Sequence, residues 1–263
     1  MTTFFNFGQT LPAHRKMHSN FGGLFQPVIG ESIRLLSSQI SFDRLPADSP
    51  NISDPFTSGS MTYSTNGTDS FFSPSYYDSR RYSWIHIFPE GRIHQHPRKT
   101  MRYFKWGISR LILEAEPMPE IIPMFIDGNQ DVYHETRKFP RFIPRAGNDI
   151  RIGFGDAVDG EKVFGELRRR WHRLVRLQKD ALRKKGLDDE LSMGELTEGL
   201  KYSAEAVALR KEVTLRIREE VLKVRRSMGF PDEDPKNGLV ETWLEEGPKT
   251  TGKMLDGSWV GET

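Results

Sequence analysis

Apolar and polar positions alternate most cleanly in Trp84-Ile85-His86-Ile87-Phe88, with Trp84, His86 and Phe88 on one face and Ile85 and Ile87 on the other. A period of two over such a run predicts a short strand in a sheet covered on both sides. Pro89-Glu90-Gly91-Arg92 follows and predicts a tight turn, where glycine lets the backbone bend sharply or come close to a ligand. Beyond the turn the period becomes helical, through Phe104, Ile108, Leu111, Ile112 and Ala115, with Arg102 and Lys105 in the first turn. Glu120 to Ile126 reads as a second strand, in which Pro123 removes a ladder donor and marks an edge, a start or a bulge. Ile150, Ile152 and Phe154 alternate in a third. Strand, helix and strand in this order predict a crossover unit of an α/β sheet. Such sheets place their chemistry where strands end, and Glu90 and Arg92 stand at such an end.

After Asp159 the pattern is helical throughout. Val163, Phe164, Leu167, Trp171, Leu174, Leu177 and Ala181 form one stripe, ringed by Arg168, Arg169, Arg170, Arg173, Arg176 and Lys179. A second helix is predicted over Ser203 to Met228, with Ala206, Val213, Ile217, Val221 and Val224 on its apolar side. From Gly229 onward the chain is rich in Pro, Gly, Glu, Lys and Thr and is expected to be a mobile tail. Residues 43–82, dominated by Ser, Pro, Asn, Asp, Thr and Gly, read as an inserted, structureless excursion. The expected organisation is therefore an α/β portion over 1–158, a helical region over 159–228 and a tail over 229–263.

Composition narrows the function. The 263 residues carry a formal charge of only +2, so no global field points to nucleic acid. An RNA-binding face would also interleave its basic residues with stacking aromatics, and the basic stretch from Arg168 to Lys185 offers only Trp171. That stretch suits either a solvated helix face or a surface lying against anionic lipid. The absence of cysteine excludes disulfides and thiolate metal sites. The longest apolar run, Ile121 to Ile126, is far short of the roughly 20 residues that cross a bilayer. His94 and His96 suggest a metal pair, yet no third ligand of matching spacing accompanies them, so no metal is expected. His86, inside an apolar run, reads as a hydrogen-bonded core histidine. Gly153 and Gly155 do not make a dinucleotide fingerprint, because a third glycine and a following helix start are missing.

Several short segments gain weight from their order. Phe4-Phe5-Asn6-Phe7-Gly8-Gln9-Thr10-Leu11 leads to Arg15, then to Phe25-Gln26 and Ile33-Arg34-Leu35-Leu36. The Phe-Pro-Glu-Gly-Arg turn at 88–92 is followed by Met101-Arg102-Tyr103-Phe104-Lys105-Trp106-Gly107-Ile108. Ile121-Ile122-Pro123-Met124-Phe125, Asp131-Val132, Phe139-Pro140-Arg141-Phe142 and Ile152-Gly153-Phe154-Gly155-Asp156 complete the series. From about Phe4 to Asp156, with one insertion, this order resembles the tafazzin family of glycerolipid acyltransferases. The resemblance implies an incomplete acyltransferase-like α/β domain with a helical C-terminal region.

It also implies acyl transfer between a phospholipid and a lysophospholipid, here monolysocardiolipin, in cardiolipin remodelling. No cofactor and no metal are implied. The partners would be the two lipids and a membrane surface, anionic in character, on mitochondrial membrane faces bordering the intermembrane space. By the same resemblance Arg15 would hold the glycerolipid phosphate, Phe88, Pro89, Glu90 and Gly91 would form a substrate-contacting turn, and Arg92 would be a second phosphate clamp. A glutamate is an odd partner for phosphate, so Glu90 is better suited to a glycerol hydroxyl or to fixing a nearby arginine. Pro123 would shape the floor of the acyl site.

One feature departs from the family. Its general base is a histidine in a His-x-x-x-x-Asp motif, whose aspartate orients the ring. None of the seven histidines has an aspartate at the fifth following position. The motif belongs several tens of residues before Gly8, so a truncated or mis-started product is expected. Two alternatives stand beside the transacylase reading: a coenzyme-A-dependent lysophospholipid acyltransferase, and a catalytically inactive protein that binds membrane phospholipid.

Overall fold

The structure is a computed structural model that describes residues 11–14, 19–37, 62–72, 84–91, 94–134, 140, 143–187, 194–244, 252–253 and 259–260. In chain order its elements are helix α1 (Pro27–Leu36), strands β1 (Thr62–Tyr63) and β2 (Phe71–Phe72), helix α2 (Gly107–Glu114), strand β3 (Met124–Asp127), helix α3 (Asn129–Val132), strand β4 (Arg151–Phe154), helices α4 (Gly160–Lys184), α5 (Glu198–Tyr202), α6 (Ala204–Ser227) and α7 (Val240–Leu244), and strands β5 (Gly252–Lys253) and β6 (Trp259–Val260). A 3-10 turn at Pro235–Gly238 precedes α7. The chain divides into two compact units. One comprises Met1–Ile87, Trp106–Pro119 and Phe164–Lys211; the other comprises Phe88–Lys105, Glu120–Val163 and Glu212–Thr263.

The first unit is built on helices. Ile33 of α1 packs with Leu111 of α2 and with Ala115, and Ile29, Leu36, Ile85, Ile87 and Ile108 complete the cluster. The alternation at 84–88 is thus expressed, but as an extended segment with one face covered. Trp84 is 97% exposed and Phe88 66% exposed, and the segment joins no strand among the described residues. The expectation of a strand buried on both sides is corrected: Ile85 and Ile87 supply all of its burial. Phe164, Leu167, Trp171 and Leu174 form the buried stripe of α4, while Leu177 and Ala181, expected in the same stripe, are exposed. Inside the segment expected to be structureless, β1 and β2 pair antiparallel, Thr62 opposite Phe72 and Tyr63 opposite Phe71. The turn between them is tied by Asp69, which accepts hydrogen bonds from the Ser64 hydroxyl (2.9 Å) and the Thr65 backbone N–H (2.6 Å).

Several arginines in this unit are buried, and two of them, Arg168 and Arg210, satisfy helix-end carbonyls that have no partner within the helix. Arg168 donates to Ile112 O, to Ala115 O (3.0 Å) and to Glu116 (2.6 Å), closing the end of α2. Arg210 donates to Leu200 O (2.9 Å) and Lys201 O at the end of α5. Arg110 forks onto Glu114 with two 2.6 Å bonds and reaches Gly194 O at 2.8 Å.

In the second unit β3 and β4 pair antiparallel, Met124 opposite Phe154 and Asp127 opposite Arg151. The expected crossover unit is corrected because 84–88, its first strand, joins no sheet among the described residues, where the sheets are antiparallel pairs. The side chains of Phe125 and the backbone at Gly153 share one face. Phe125 meets Phe230 edge to face at 5.6 Å, and a Cβ at Gly153 would fall 2.4 Å from Met228 Sδ, so glycine admits the end of α6 there. The alternating residues Ile150, Ile152 and Phe154 lie on the other face and are exposed. Pro123 precedes β3, and its carbonyl accepts the Gly155 N–H at 2.9 Å, which fits the strand-start alternative. Among the described residues no helix is long and apolar enough to cross a membrane.

Candidate functional site

The turn at Phe88–Gly91 lies in the second unit. Gly91 N–H donates to Phe88 O at 3.0 Å, and Gly91 has a φ of +66°. Lys105, expected in a helical turn, precedes α2 in extended chain; its N–H donates to Pro89 O at 2.6 Å, pinning the turn. The Lys105 stem crosses Gly91, where a Cβ would meet Lys105 Cγ at 3.0 Å and Cε at 3.3 Å. Glycine is needed here twice, for its left-handed backbone and for the space.

Glu90 turns inward. Its carboxylate accepts the Arg102 backbone N–H at 2.8 Å. Burial pushes the carboxyl up to about 7, against the Arg102 N–H bond and the positive charge of Arg218, and Glu233 adds to the rise. The bond to Arg102 runs through that residue's backbone. The Arg102 side chain is 2% exposed and stacks on Trp243, with its guanidinium carbon 4.0 Å from the ring centroid. Arg218 holds the same segment from α6, donating to Arg102 O (2.9 Å) and Met101 O (2.8 Å). Arg225 does so two turns on, donating to Lys99 O at 3.1 Å.

Glu233 ties this lattice together. It pairs with Arg218 at 2.6 Å and Arg225 at 3.2 Å and accepts the Met101 N–H at 2.7 Å, with its side chain 1% exposed. Residues 229–244, expected as part of a mobile tail, therefore contribute buried contacts through Glu233 and Trp243. At the far end of β3, Asp127 binds Lys99 and, at 2.7 Å, Arg151. Although burial raises its carboxyl, those bonds hold it below the usual range.

Of the residues singled out in the sequence, Phe88, Pro89, Glu90 and Gly91 are brought together with Arg102 and Lys105. Pro123 is built into the sheet beside Gly155, whose added Cβ would lie 2.9 Å from Pro123 Cγ. Arg15 and Arg92 lie outside the described residues. His86 is exposed, so the reading of it as a core histidine is corrected: it shares the open face with Trp84. His94 and His96 stack on each other at 5.7 Å, and His94 meets Trp243 edge-on at 5.0 Å. Among the described residues no three metal-ligating side chains cluster. Chemically, the turn presents backbone and a nearby ammonium, while its carboxylate is spent on holding the shape.

No family model matches the chain. It is 32% identical over 252 residues to the tafazzin of Saccharomyces cerevisiae, an alignment covering 92% of this chain and 59% of that protein. The chain belongs to the tafazzin family. The tafazzin of Dictyostelium discoideum is 34% identical over 90 residues, 32% of this chain and 29% of that protein. An N-acylphosphatidylethanolamine synthase of Arabidopsis thaliana is 27% identical over 79 residues, 29% of this chain and 28% of that protein. The chain thus spans somewhat over half the length of its yeast tafazzin relative.

The sequence reading missed Glu233 and Trp243 of this tafazzin-family chain, since a Glu and a Trp in a Pro/Gly-rich stretch carry no local signal of burial. It placed Lys105 on a helix, and the surplus of helical periodicity beginning at Phe104 explains why. Gly91→Ala is expected to cost about 1–3 kcal/mol, combining left-handed strain with crowding of Lys105. Urea unfolding of the variant checks this; an unchanged midpoint would contradict the turn geometry.

Proposed function

We propose that the chain serves acyl transfer between a phospholipid and a lysophospholipid, within cardiolipin remodelling at mitochondrial membranes. One observation carries this reading: in a tafazzin-family chain the Pro-Glu-Gly turn and its inward glutamate are hydrogen-bonded to Arg102 and Lys105, which open the Arg-x-Phe-Lys signature. In this reading the turn seats the glycerophosphate of the lyso-lipid and Arg15 and Arg92 add phosphate contacts. The exposed Phe88 faces acyl chains, and Pro123 shapes the floor beneath the acyl group.

Chemically, a lyso-lipid hydroxyl attacks the donor's ester carbonyl and a base accepts its proton. The family's His-x-x-x-x-Asp pair, which fills that role, does not occur in this sequence. A second reading, open from the sequence, is a protein that binds membrane phospholipid without turnover. Both readings place the chain on a bilayer. The exposed Arg169, Arg173, Arg176 and Lys184 of α4 would face anionic lipid, each contributing about 1 kcal/mol near the surface.

The test follows labelled acyl groups from phosphatidylcholine to monolysocardiolipin on vesicles carrying the full chain. Transfer without coenzyme A is the result expected of a transacylase. Transfer only from acyl-coenzyme A would assign the alternative chemistry. Vesicle binding with no transfer would establish the second reading, and neither binding nor transfer would overturn both.

A further inference from the structure

The cations around the Phe88–Gly91 turn are almost all committed to internal partners. Arg102 is buried on Trp243, Arg218 and Arg225 share Glu233, and Lys99 and Arg151 share Asp127. Lys105 differs. Its side chain is exposed, and among the described residues no carboxylate lies within ion-pair range of its ammonium. The ammonium donates to the Tyr103 hydroxyl at 3.0 Å and lies 5.1 Å from the centroid of that ring.

An ammonium carries three donors, so two remain after the bond to Tyr103. A tyrosine hydroxyl that accepts from Lys105 keeps its own proton to donate. The two side chains can therefore present three donors and one positive charge side by side. Their position is fixed from below: the Lys105 N–H is tied to Pro89 O at 2.6 Å, and the stem lies across Gly91 where any other residue would displace it. The glutamate of the turn does not neutralise this charge, because it is folded inward onto Arg102 N–H.

We infer that Lys105 and Tyr103 bind a phosphate oxygen of the lysophospholipid head group at the Pro-Glu-Gly turn. This deepens the phospholipid reading above and rests on it. A phosphodiester anion is the group matched to one fixed cation flanked by a hydroxyl donor. The packing at Gly91 acquires a purpose in this arrangement: the glycine aims the lysine. A neutral glycerol hydroxyl as the bound group would not need the charge.

The test is equilibrium binding of two short-chain ligands to the full chain below their micelle concentrations: lysophosphatidylglycerol, and a monoacylglycerol with the same acyl chain and no phosphate. Lys105→Met keeps the apolar stem over Gly91 and removes the charge. It is expected to weaken lysophosphatidylglycerol binding by about tenfold or more, as loss of a charge-assisted hydrogen bond does, and to leave monoacylglycerol binding unchanged. Lys105→Arg is expected to restore most of the discrimination, and Tyr103→Phe to lose a few-fold of it. Equal losses for both ligands would overturn the assignment and make Lys105 a packing residue. Inorganic phosphate that displaces the lyso-lipid from the wild-type chain would overturn it in favour of a free-anion site. A wild-type chain that binds neither ligand would overturn the phospholipid reading itself, whatever the variants do.

Discussion

Replacing Glu233 by alanine is expected to destabilise the second unit by about 3–5 kcal/mol, the cost of leaving buried charge without its partner. The side chain is 1% exposed, pairs with Arg218 at 2.6 Å and Arg225 at 3.2 Å, and accepts the Met101 N–H at 2.7 Å. The size of the effect does not imply that the ion cluster is a net gain over an apolar core; it reflects two guanidinium groups and one N–H stranded out of water. Glu233→Gln keeps an acceptor and the volume but loses the charge, so a smaller loss of about 2 kcal/mol is expected. Urea midpoints with an unchanged m-value measure both. A loss below about 1 kcal/mol in the alanine variant would mean that Glu233 does not close this lattice.

Glu90 carries the second large effect, and it appears in pH. Its folded-state carboxyl titrates at about 7 instead of the ordinary 4.5, because burial disfavours the charged form. A raised value means that the folded state holds the proton more tightly than the unfolded chain does. The stabilisation is therefore complete below about pH 4.5 and is lost as pH rises through 7. A gap of that size corresponds to about 3 kcal/mol. Glu90→Gln stays neutral and can still accept the Arg102 N–H, so it is expected to flatten that fall. Comparing wild type and variant at pH 5 and pH 8 cancels other titrating groups to first order, including Glu114, which burial also raises. Parallel pH profiles would remove Glu90 from its inward position.

Periodicity read well where one face decides burial. The stripe Phe164, Leu167, Trp171 and Leu174 was legible because a helix exposed on its other side leaves a clean 3.6 pattern. The turn at 88–91 was legible because Pro and Gly punctuate the chain whatever surrounds them. Strand pairing was not. Ile150, Ile152 and Phe154 alternate like a buried face yet are exposed, and the covered face is the one with Phe125 and Gly153, where a missing side chain does the packing. The polar contacts were least legible. Arg168 stands in the sequence only as one of the basic residues ringing an apolar stripe, and Arg210, Arg218 and Arg225 carry no signal there, but each spends its fork on backbone carbonyls. Pairings 116 residues apart, such as Arg218 with Arg102, leave no local pattern. The candidate site was therefore found by its turn and its ordered segments, while the lattice behind it came only from the folded arrangement.

The most direct test of the central claim is photo-crosslinking of the full chain with a lysophospholipid bearing a photoreactive group near its glycerol, read out by peptide mass mapping. The account predicts adducts concentrated between Phe88 and Lys105, suppressed by unlabelled lysophospholipid. Adducts confined to the basic face of α4, or spread without competition, would contradict a lipid head-group site at the Pro-Glu-Gly turn.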